Sequence, residues 1–377
     1  MIFVGIPTAY HQYMKHQAAK PWLLNIDTNY RPSVSIIVPM SNEEKTVKLK
    51  LKNLFNVNYP VEKVQIIIVN DGSTDSTLDK VHDFVNSNHR FDTRIFSNDQ
   101  RIGKCNSMNH VLKHTTGEII VVSDADCFLD SEILVNALPY LSDPNVAAIA
   151  GKERLLNFKH TWITRGELVY NDFVQTLRVG ESKTGSTIFF QGGFSAYKKS
   201  CLEEFNNETD DSGTALDLVQ KGKRAILLSD AVFYTTFPTQ WKSKVDIKIR
   251  RANQLQKIWM KCLKLFFQRK LKLPRSVFVP EIYLHLFAPL VFVMFILVSC
   301  ILVINIPLLL PFFVFFLLAV VVAPKTRFLL VEMLQNNLIL LVSMLLLFSK
   351  GKFKIWKTSD DSRSLLTEEM LHKKNLI

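Results

Sequence analysis

The sequence predicts an α/β fold with a doubly wound, mainly parallel sheet, followed by an interfacial helix and a C-terminal transmembrane helical hairpin. Two observations lead to this class. Apolar, β-branched runs alternate with helical stretches between residues 33 and 240, and residues 286–324 then carry no charged side chain. Because 48% of the 377 residues are hydrophobic, which is high for a soluble protein, a membrane part is expected.

Four apolar runs are the predicted strands of the sheet. They lie at residues 33–39, 64–69, 118–123 and 225–228, and helical material follows the first of them at residues 43–56. Strands that are separated by helices predict parallel pairing through right-handed crossovers. Ligands of such sheets bind at the carboxyl ends of the strands.

Acidic residues follow two of these strands. Asp71 comes after the second, in VNDGSTDST, and Asp124 and Asp126 come after the third, in SDADCF. Strand side chains repeat every second residue, so this pair of carboxylates shares one face and suits Mg²⁺ or Mn²⁺ beside a nucleotide diphosphate. Ordinary turns use the same residues, which is the alternative interpretation of each motif.

The net charge of +12 is concentrated in one segment. Residues 241–276 hold twelve lysines and arginines and a single acidic residue, Asp246. Placed directly before the apolar run, this segment indicates an interfacial helix against anionic lipid rather than a nucleic-acid surface. An amphipathic surface helix of ordinary kind is the remaining alternative.

The apolar run 286–324 predicts a hairpin that turns near Asn305 and Pro307. Residues 328–348 are long enough to cross a membrane but contain Glu332, so we predict an interfacial, re-entrant or bundle-facing helix. The amino terminus lacks the features of a signal peptide, and the five cysteines show no zinc spacing. We therefore expect an integral membrane protein with a cytoplasmic catalytic domain. The expected division is 1–32 (N-terminal segment), 33–240 (catalytic domain), 241–280 (basic interfacial segment), 281–324 (hairpin) and 325–377 (apolar helix of uncertain topology and basic tail).

The ordered motifs SIIVPMSNEE, VNDGSTDST, RIGKCNSMN, SDADCF, QGGFSAYKK and TDD resemble the family 2 glycosyltransferases. The resemblance covers residues 33–251 and is greatest to the membrane-attached branch of cellulose, hyaluronan and poly-N-acetylglucosamine synthases. It implies a GT-A fold, a nucleotide-sugar donor, Mg²⁺ or Mn²⁺, and inversion at the anomeric carbon.

The resemblance also assigns roles to single residues. Asp71 corresponds to the nucleoside contact, Asp124 to the first aspartate of the DxD motif, and Asp126 to the metal ligand. Lys104 corresponds to a donor-site cation, with a solvent-facing lysine as the alternative. The other donor-binding positions implied are Pro39, Glu43, Asn109, Gly192, Gly193, Arg250 and Arg251.

Two motifs depart from the family pattern. TDD, at residues 209–211, resembles the family's TED motif but has aspartate in place of glutamate. In this resemblance Asp211 corresponds to the catalytic base, and Asp210 is the alternative. An acidic helix start is the structural interpretation of both residues. The QxxRW motif of the synthases corresponds to Ile247, Arg250 and Arg251, so its glutamine and tryptophan are absent. This departure argues against processive synthesis. Arg250 is expected to bind diphosphate and Arg251 an anionic acceptor, unless both belong to the lipid-facing basic segment.

The sequence thus predicts a membrane-anchored, inverting, metal-dependent glycosyltransferase that uses a nucleotide-sugar donor and a lipid or glycan acceptor. Membrane lipids are the other expected partner, and nucleic acid is not. A processive polysaccharide synthase, a dolichyl or polyprenyl phosphate sugar synthase, a nucleotidyltransferase and an inactive membrane scaffold are the alternatives. Sugar, linkage and oligomeric state are not predicted.

Overall fold

The computed structural model describes residues 2–308, 310–311, 314, 324–348 and 360–377. Within these residues eight strands form a single sheet in the order β3-β2-β1-β4-β7-β6-β8-β5. The strands are β1 (Val34–Met40), β2 (Val64–Asp71), β3 (Asp92–Asn98), β4 (Ile119–Val122), β5 (Cys127–Leu129), β6 (Val146–Leu155), β7 (Ser195–Lys198) and β8 (Arg224–Thr235).

The sheet is mixed rather than wholly parallel. Strands β3, β2, β1 and β4 are parallel to one another, and β6 is parallel to β8. Strand β7 runs antiparallel between β4 and β6, and β5 pairs antiparallel with the end of β8. The four predicted strands are β1, β2, β4 and β8, and the structure adds the other four.

Helices cover both faces of the sheet. In β1 the side chain of Ile36 belongs to the hydrophobic core on one face and that of Ile37 to the core on the other, as successive strand residues require. The helices of the catalytic body are α1 (Ile2–Ala18), α2 (Val47–Phe55), α3 (Thr77–Ser87), α4 (Lys104–Leu112), α5 (Ile133–Ala137), α6 (Trp162–Thr184) and α7 (Ser212–Gln220).

The N-terminal helix α1 packs closely along α6. Met14 is fully buried there, and a Cβ on Gly180 would lie 2.2 Å from the Met14 carbonyl oxygen, so glycine is what permits this approach. The Tyr10 hydroxyl donates a hydrogen bond to buried Glu181 at 2.6 Å. Helix α1 is therefore joined to the catalytic body through α6.

The carboxyl-terminal helices are α8 (Trp241–Phe267), α9 (Arg275–Ile282), α10 (Ala288–Asn305) and α11 (Pro324–Phe348), with a π-helical turn, Tyr283–Phe287, between α9 and α10. Short helices at Asp360–Arg363 and Glu368–His372 follow. Among the described residues, Arg275–Asn305 and Arg327–Leu347 are long and apolar enough to cross a membrane. Most of the second half of the predicted hairpin, residues 307–324, lies outside the described residues.

The basic helix α8 is present, but much of its apolar side is covered by protein. Ile258, Trp259 and Cys262 are buried in the core beneath the sheet, whereas Met260 and Phe267 are exposed. The prediction that the segment's lysines face lipid is wrong for Lys244 and Lys248. Both are buried and form ion pairs with Glu332 of α11. A charge pair satisfies these ammonium groups where burial alone would penalise them.

Candidate functional site

One cavity of about 870 Å³ lies at the carboxyl end of β4 and the amino end of β7 and extends along α6, α8 and α11. It brings together most of the predicted site residues. Those that line it are Lys104, Asp124, Asp126, Gly192, Gly193, Asp210, Asp211, Arg250 and Arg251.

The acidic turn after β4, residues 123–127, is held in place by a buried lysine. Lys50 donates hydrogen bonds of 2.6 Å to the Ser123 hydroxyl and to the Cys127 carbonyl oxygen, on either side of the two aspartates. Ser123 in turn donates to the Gly193 carbonyl at 2.8 Å. Burial lowers the pKa of Lys50 to about 8. Sequence reasoning missed Lys50 because a lysine in a helix normally faces solvent.

Asp124 and Asp126 have the chemistry and spacing for a divalent cation. One carboxylate oxygen of each aspartate and the Cys127 sulfur lie within 4.8 Å of one another. Burial, and then the Asp126 and Asp124 charges, raise the pKa of the Cys127 thiol well above its ordinary value. Carboxylate oxygens are the ligands that Mg²⁺ and Mn²⁺ prefer. The two aspartates therefore fit the predicted metal, and the cysteine does not.

Lys104 connects the metal-binding turn to the downstream acidic motif. Its Nζ lies 2.7 Å from Asp124 Oδ1 and 2.6 Å from Asp210 Oδ2. Burial opposes the ammonium charge, but Asp124 and Asp210 outweigh it and hold the pKa of Lys104 well above its ordinary value. The alternative of a solvent-facing lysine is therefore wrong, since the side chain is only 19% exposed.

Gly192 and Gly193 bring β7 and its preceding loop against the acidic turn. A Cβ on Gly192 would lie 2.3 Å from Asp124 Oδ2, and one on Gly193 would lie 2.0 Å from the Phe233 ring. The Asp124 amide also donates to the Gly192 carbonyl at 2.9 Å. Both positions are restricted to glycine by close approach.

Asp211 caps the amino terminus of α7. Its Oδ1 accepts a hydrogen bond from the Ser212 amide at 2.5 Å. Burial and then the neighbouring Asp210 carboxylate raise the pKa of Asp211 to about 7, and Lys104 acts against them. A carboxylate with this pKa can exchange a proton at neutral pH, whereas Asp210 is held in an ion pair.

Asp71 supports the loop that carries Lys104. Its carboxylate accepts from the amides of Ile102 and Gly103 at 2.8 and 2.9 Å and from the Ser107 hydroxyl at 2.9 Å. Gly103 has φ of +93°, a conformation that favours glycine. Asp71 does not line the cavity itself. Its observed contacts orient the start of α4.

Three other predicted residues lie behind the cavity rather than along it. Pro39 is buried within β1. The Asn109 side chain is bound at both ends by the Phe205 main chain, at 2.7 and 3.0 Å, and so joins α4 to the loop before α7. Glu43 is 1% exposed and is paired with Arg363. In this structure the polar atoms of Asn109 and Glu43 serve the fold of the site.

Arg363 is the main cavity residue that the sequence did not suggest. It comes from the C-terminal segment, and its Nη2 lies 3.6 Å from Asp126 Oδ2. The guanidinium forms a two-pronged pair with Glu43, with Nε 2.7 Å from Oε2. No local pattern marks a residue whose partners lie hundreds of positions away.

The far wall of the cavity is formed by helices near the candidate membrane spans. Asn171 and Gln175 of α6, Lys248 of α8, and Asn336 and Leu340 of α11 line it. Lys248 is held by Glu167 at 2.7 Å as well as by Glu332. Among the described residues, Gln175 Oε1 and Asn336 Nδ2 are buried without a hydrogen-bond partner. Buried polar atoms on a cavity wall need a hydrogen-bond partner, which water or a polar ligand can supply.

Arg250 and Arg251 of α8 also line this cavity. Burial, and then the charge of Arg251, lower the pKa of Arg250 to about 10, so the guanidinium is still charged at neutral pH. The interpretation of Arg250 as part of the lipid-facing surface is not what the structure shows, because it faces the carboxylates.

Comparison with known proteins gives a family match and a similar fold. The family model described as "Glycosyl transferase family 2" matches residues 35–205. The solved structure "Mannosyltransferase PcManGT from Pyrobaculum calidifontis in complex with GDP-Man and Mn2+" is 28% identical, with a TM-score of 0.79 over 93% of this chain and 97% of that one. The predicted GT-A fold is therefore confirmed.

Curated relatives match over shorter lengths. "Probable glycosyltransferase YdaM" of Bacillus subtilis is 27% identical over 66% of this chain and 60% of its own. "Beta-monoglucosyldiacylglycerol synthase" of Nostoc is 32% identical over 36% of this chain and 29% of its own. "Poly-beta-1,6-N-acetyl-D-glucosamine synthase" of Staphylococcus epidermidis is 28% identical over 45% and 40%. The chain thus spans between about a third and three fifths of these relatives.

Proposed function

Since the chain carries a family 2 glycosyltransferase domain with the GT-A fold, we propose that it is a membrane-anchored, inverting enzyme. It transfers one sugar from a nucleotide-diphosphate donor to a membrane-associated lipid or glycan acceptor. The observation that carries this proposal is the meeting of Lys104, Asp124, Asp126, Asp210 and Asp211 in one cavity.

The residues divide the chemistry between two sides of the reacting sugar. Asp211 removes the proton of the acceptor hydroxyl, because its pKa of about 7 leaves part of it ionised at neutral pH. Lys104 and Arg250 supply positive charge on the donor side, where the diphosphate departs. A single displacement from the side opposite the leaving group inverts the anomeric carbon.

Asp124 and Asp126 are the residues that would hold Mg²⁺ or Mn²⁺. The ion, when bound, neutralises charge that develops on the leaving diphosphate. Its presence is supported by the carboxylate spacing and by the similar Pyrobaculum mannosyltransferase, whose structure is a complex with GDP-Man and Mn²⁺. Lys104 keeps Asp124 oriented and leaves its Oδ2 directed at Gly192, beside the donor site.

The acceptor proposal rests on the far wall of the cavity. Polar Gln175 and Asn336 alternate there with apolar Ile339 and Leu340, and α11 belongs to a candidate span. Such a wall suits an amphipathic acceptor whose polar head enters from the membrane side. The name of the Nostoc relative, beta-monoglucosyldiacylglycerol synthase, contains a glycolipid and so supports a lipid acceptor.

A processive polysaccharide synthase is the second candidate, and the poly-N-acetylglucosamine synthase relatives favour it. The absence of a tryptophan at the QxxRW position argues against it, because Arg251 stands where the family's tryptophan would be. A polyprenyl phosphate acceptor is a further form of the proposal, with Arg251 as the phosphate contact.

The test is release of nucleotide by detergent-purified protein with Mn²⁺ or Mg²⁺ over a panel of nucleotide sugars and membrane lipid. Asp126→Ala and Asp211→Asn are compared with Asp230→Asn, which removes an exposed carboxylate outside the cavity. We expect turnover of one donor, its loss in both site variants, and a lipid-extractable product. A long insoluble polymer would favour the synthase, and no turnover with any donor would favour the inactive scaffold.

A further inference from the structure

The C-terminal segment, residues 360–377, docks directly behind the acidic turn. Leu371 and Leu376 are fully buried in a cluster with Phe128 of β5. Asn53 of α2 donates to the Leu376 carbonyl at 2.8 Å, and its side-chain oxygen accepts from the Leu129 amide at 2.7 Å. The segment is thus attached to the strand that immediately follows Asp124 and Asp126.

The start of the same segment is fixed at the entrance to α8. The Asp361 carboxylate accepts from the amides of Thr239 and Gln240, the two residues before α8, at 2.8 and 3.0 Å. The Ser362 carbonyl accepts from the Thr236 hydroxyl at 2.8 Å. These contacts leave little freedom in the backbone that carries Arg363.

Arg363 itself is clamped by Glu43. Both side chains are nearly inaccessible to solvent, 4% and 1% exposed, and the guanidinium bonds both carboxylate oxygens. A planar two-pronged pair fixes the orientation of an arginine as a single ammonium contact would not. The consequence is a guanidinium whose Nη2 is directed at Asp126 Oδ2, 3.6 Å away.

Each aspartate of the acidic turn therefore forms an ion pair with a cation. Lys104 contacts Asp124, and Arg363 approaches Asp126, which is the more exposed of the two carboxylates, at 29% against 18%. Lys104 belongs to the segment that the family motifs cover. Arg363 lies well beyond it, after the apolar helices.

We propose that Arg363 is a positioning residue of the donor site, which orients Asp126 for the divalent cation and makes the C-terminal segment part of that site. This inference rests on the proposed function. A group that orients a metal-binding carboxylate typically changes metal affinity or activity by about 10- to 100-fold when it is removed.

The experiment measures Mn²⁺ binding to the purified full-length chain by electron paramagnetic resonance, with and without GDP or UDP. The variants are Arg363→Gln, which removes the charge and the two-pronged pair with Glu43, and Arg363→Lys, which keeps the charge. Glu368→Gln is the matched control. Glu368 belongs to the same C-terminal segment, and its exposed ion pair with Lys52 lies away from the cavity. Donor KM and kcat are measured for the same proteins.

We expect Arg363→Gln to weaken Mn²⁺ binding by about 10- to 100-fold, Arg363→Lys to recover part of that loss, and Glu368→Gln to bind as the original chain does. Folded Arg363→Gln with unchanged Mn²⁺ affinity would overturn the inference, and so would an equal loss in Glu368→Gln. If Arg363→Gln does not fold, Arg363→Lys decides: weakened Mn²⁺ binding supports the inference and unchanged binding overturns it. If the unsubstituted chain binds Mn²⁺ but turns over no donor, the proposed function alone is overturned.

Discussion

Replacing Gly192 by alanine should disable the donor site while adding only one methyl group. The new Cβ would lie 2.3 Å from Asp124 Oδ2 and 2.9 Å from Lys104 Nζ. Non-bonded heavy atoms come to rest at roughly 3.5 Å, so the carboxylate must move by about 1 Å. The site gives it little room, because Lys104 contacts its other oxygen and the Asp124 amide is bonded to the Gly192 carbonyl.

A misplacement of about 1 Å at a reacting centre can cost on the order of 100-fold in rate. That factor corresponds to about 2.7 kcal/mol of transition-state stabilisation. We therefore expect kcat/KM for the nucleotide sugar to fall by about two orders of magnitude in Gly192→Ala. The assay is metal-dependent nucleotide release, with the melting temperature measured on the same preparation.

Gly5→Ala provides the control. Gly5 lies in α1, and nothing is within 4 Å of the position that its Cβ would occupy. The same chemical change should there leave activity intact and raise helix stability by about 0.5–1 kcal/mol. Folded Gly192→Ala protein with undiminished kcat/KM would refute the reasoning, since Asp124 could not then be a constrained donor-site residue.

Further outcomes follow from the same geometry. Activity should rise with pH through about 7, because the ionised form of Asp211, which accepts the proton, predominates above its pKa. Asp211→Asn should lower kcat by about 10²–10⁴-fold and remove this pH dependence. A variant that keeps the pH profile would contradict the assignment. Glu332→Gln leaves Lys244 and Lys248 partly uncompensated and should cost about 3–5 kcal/mol, seen as a lowered melting temperature. Glu203→Gln, which breaks an exposed pair, should lower the melting temperature far less, and equal effects of the two substitutions would refute the contrast. Chelation of divalent cations should abolish turnover until Mn²⁺ or Mg²⁺ is restored, and turnover that persists would exclude the metal.

The strands that the sequence predicted are those with continuous apolar character. Strand β1 is buried on both faces, as its run of isoleucine and valine indicates. Strand β3 is an edge strand that is partly exposed along its length, and β6 contains three alanines, which have low strand propensity. Their place in the sheet depends on neighbours, so no local pattern marked them.

The site residues also divide into those that a local sequence pattern predicted and those that no pattern marked. Asp124, Asp126, Lys104 and Asp211 were predicted because each belongs to a motif near the end of a strand or the start of a helix. Lys50 and Arg363 belong to no motif of this kind. Their importance arises from burial and from partners on other elements, which only the folded chain brings within hydrogen-bonding distance.

The docking of residues 360–377 also restricts the topology of the chain. Helix α8 and this segment contact the same catalytic body, and Asp361 joins them directly. If the apolar helices between them enter a bilayer, the polypeptide must return to the side from which it left. Under that condition, the number of complete crossings between Arg275 and Asp361 is even. A label on Lys374 and one on Lys242 should consequently be accessible from the same face of a sealed vesicle.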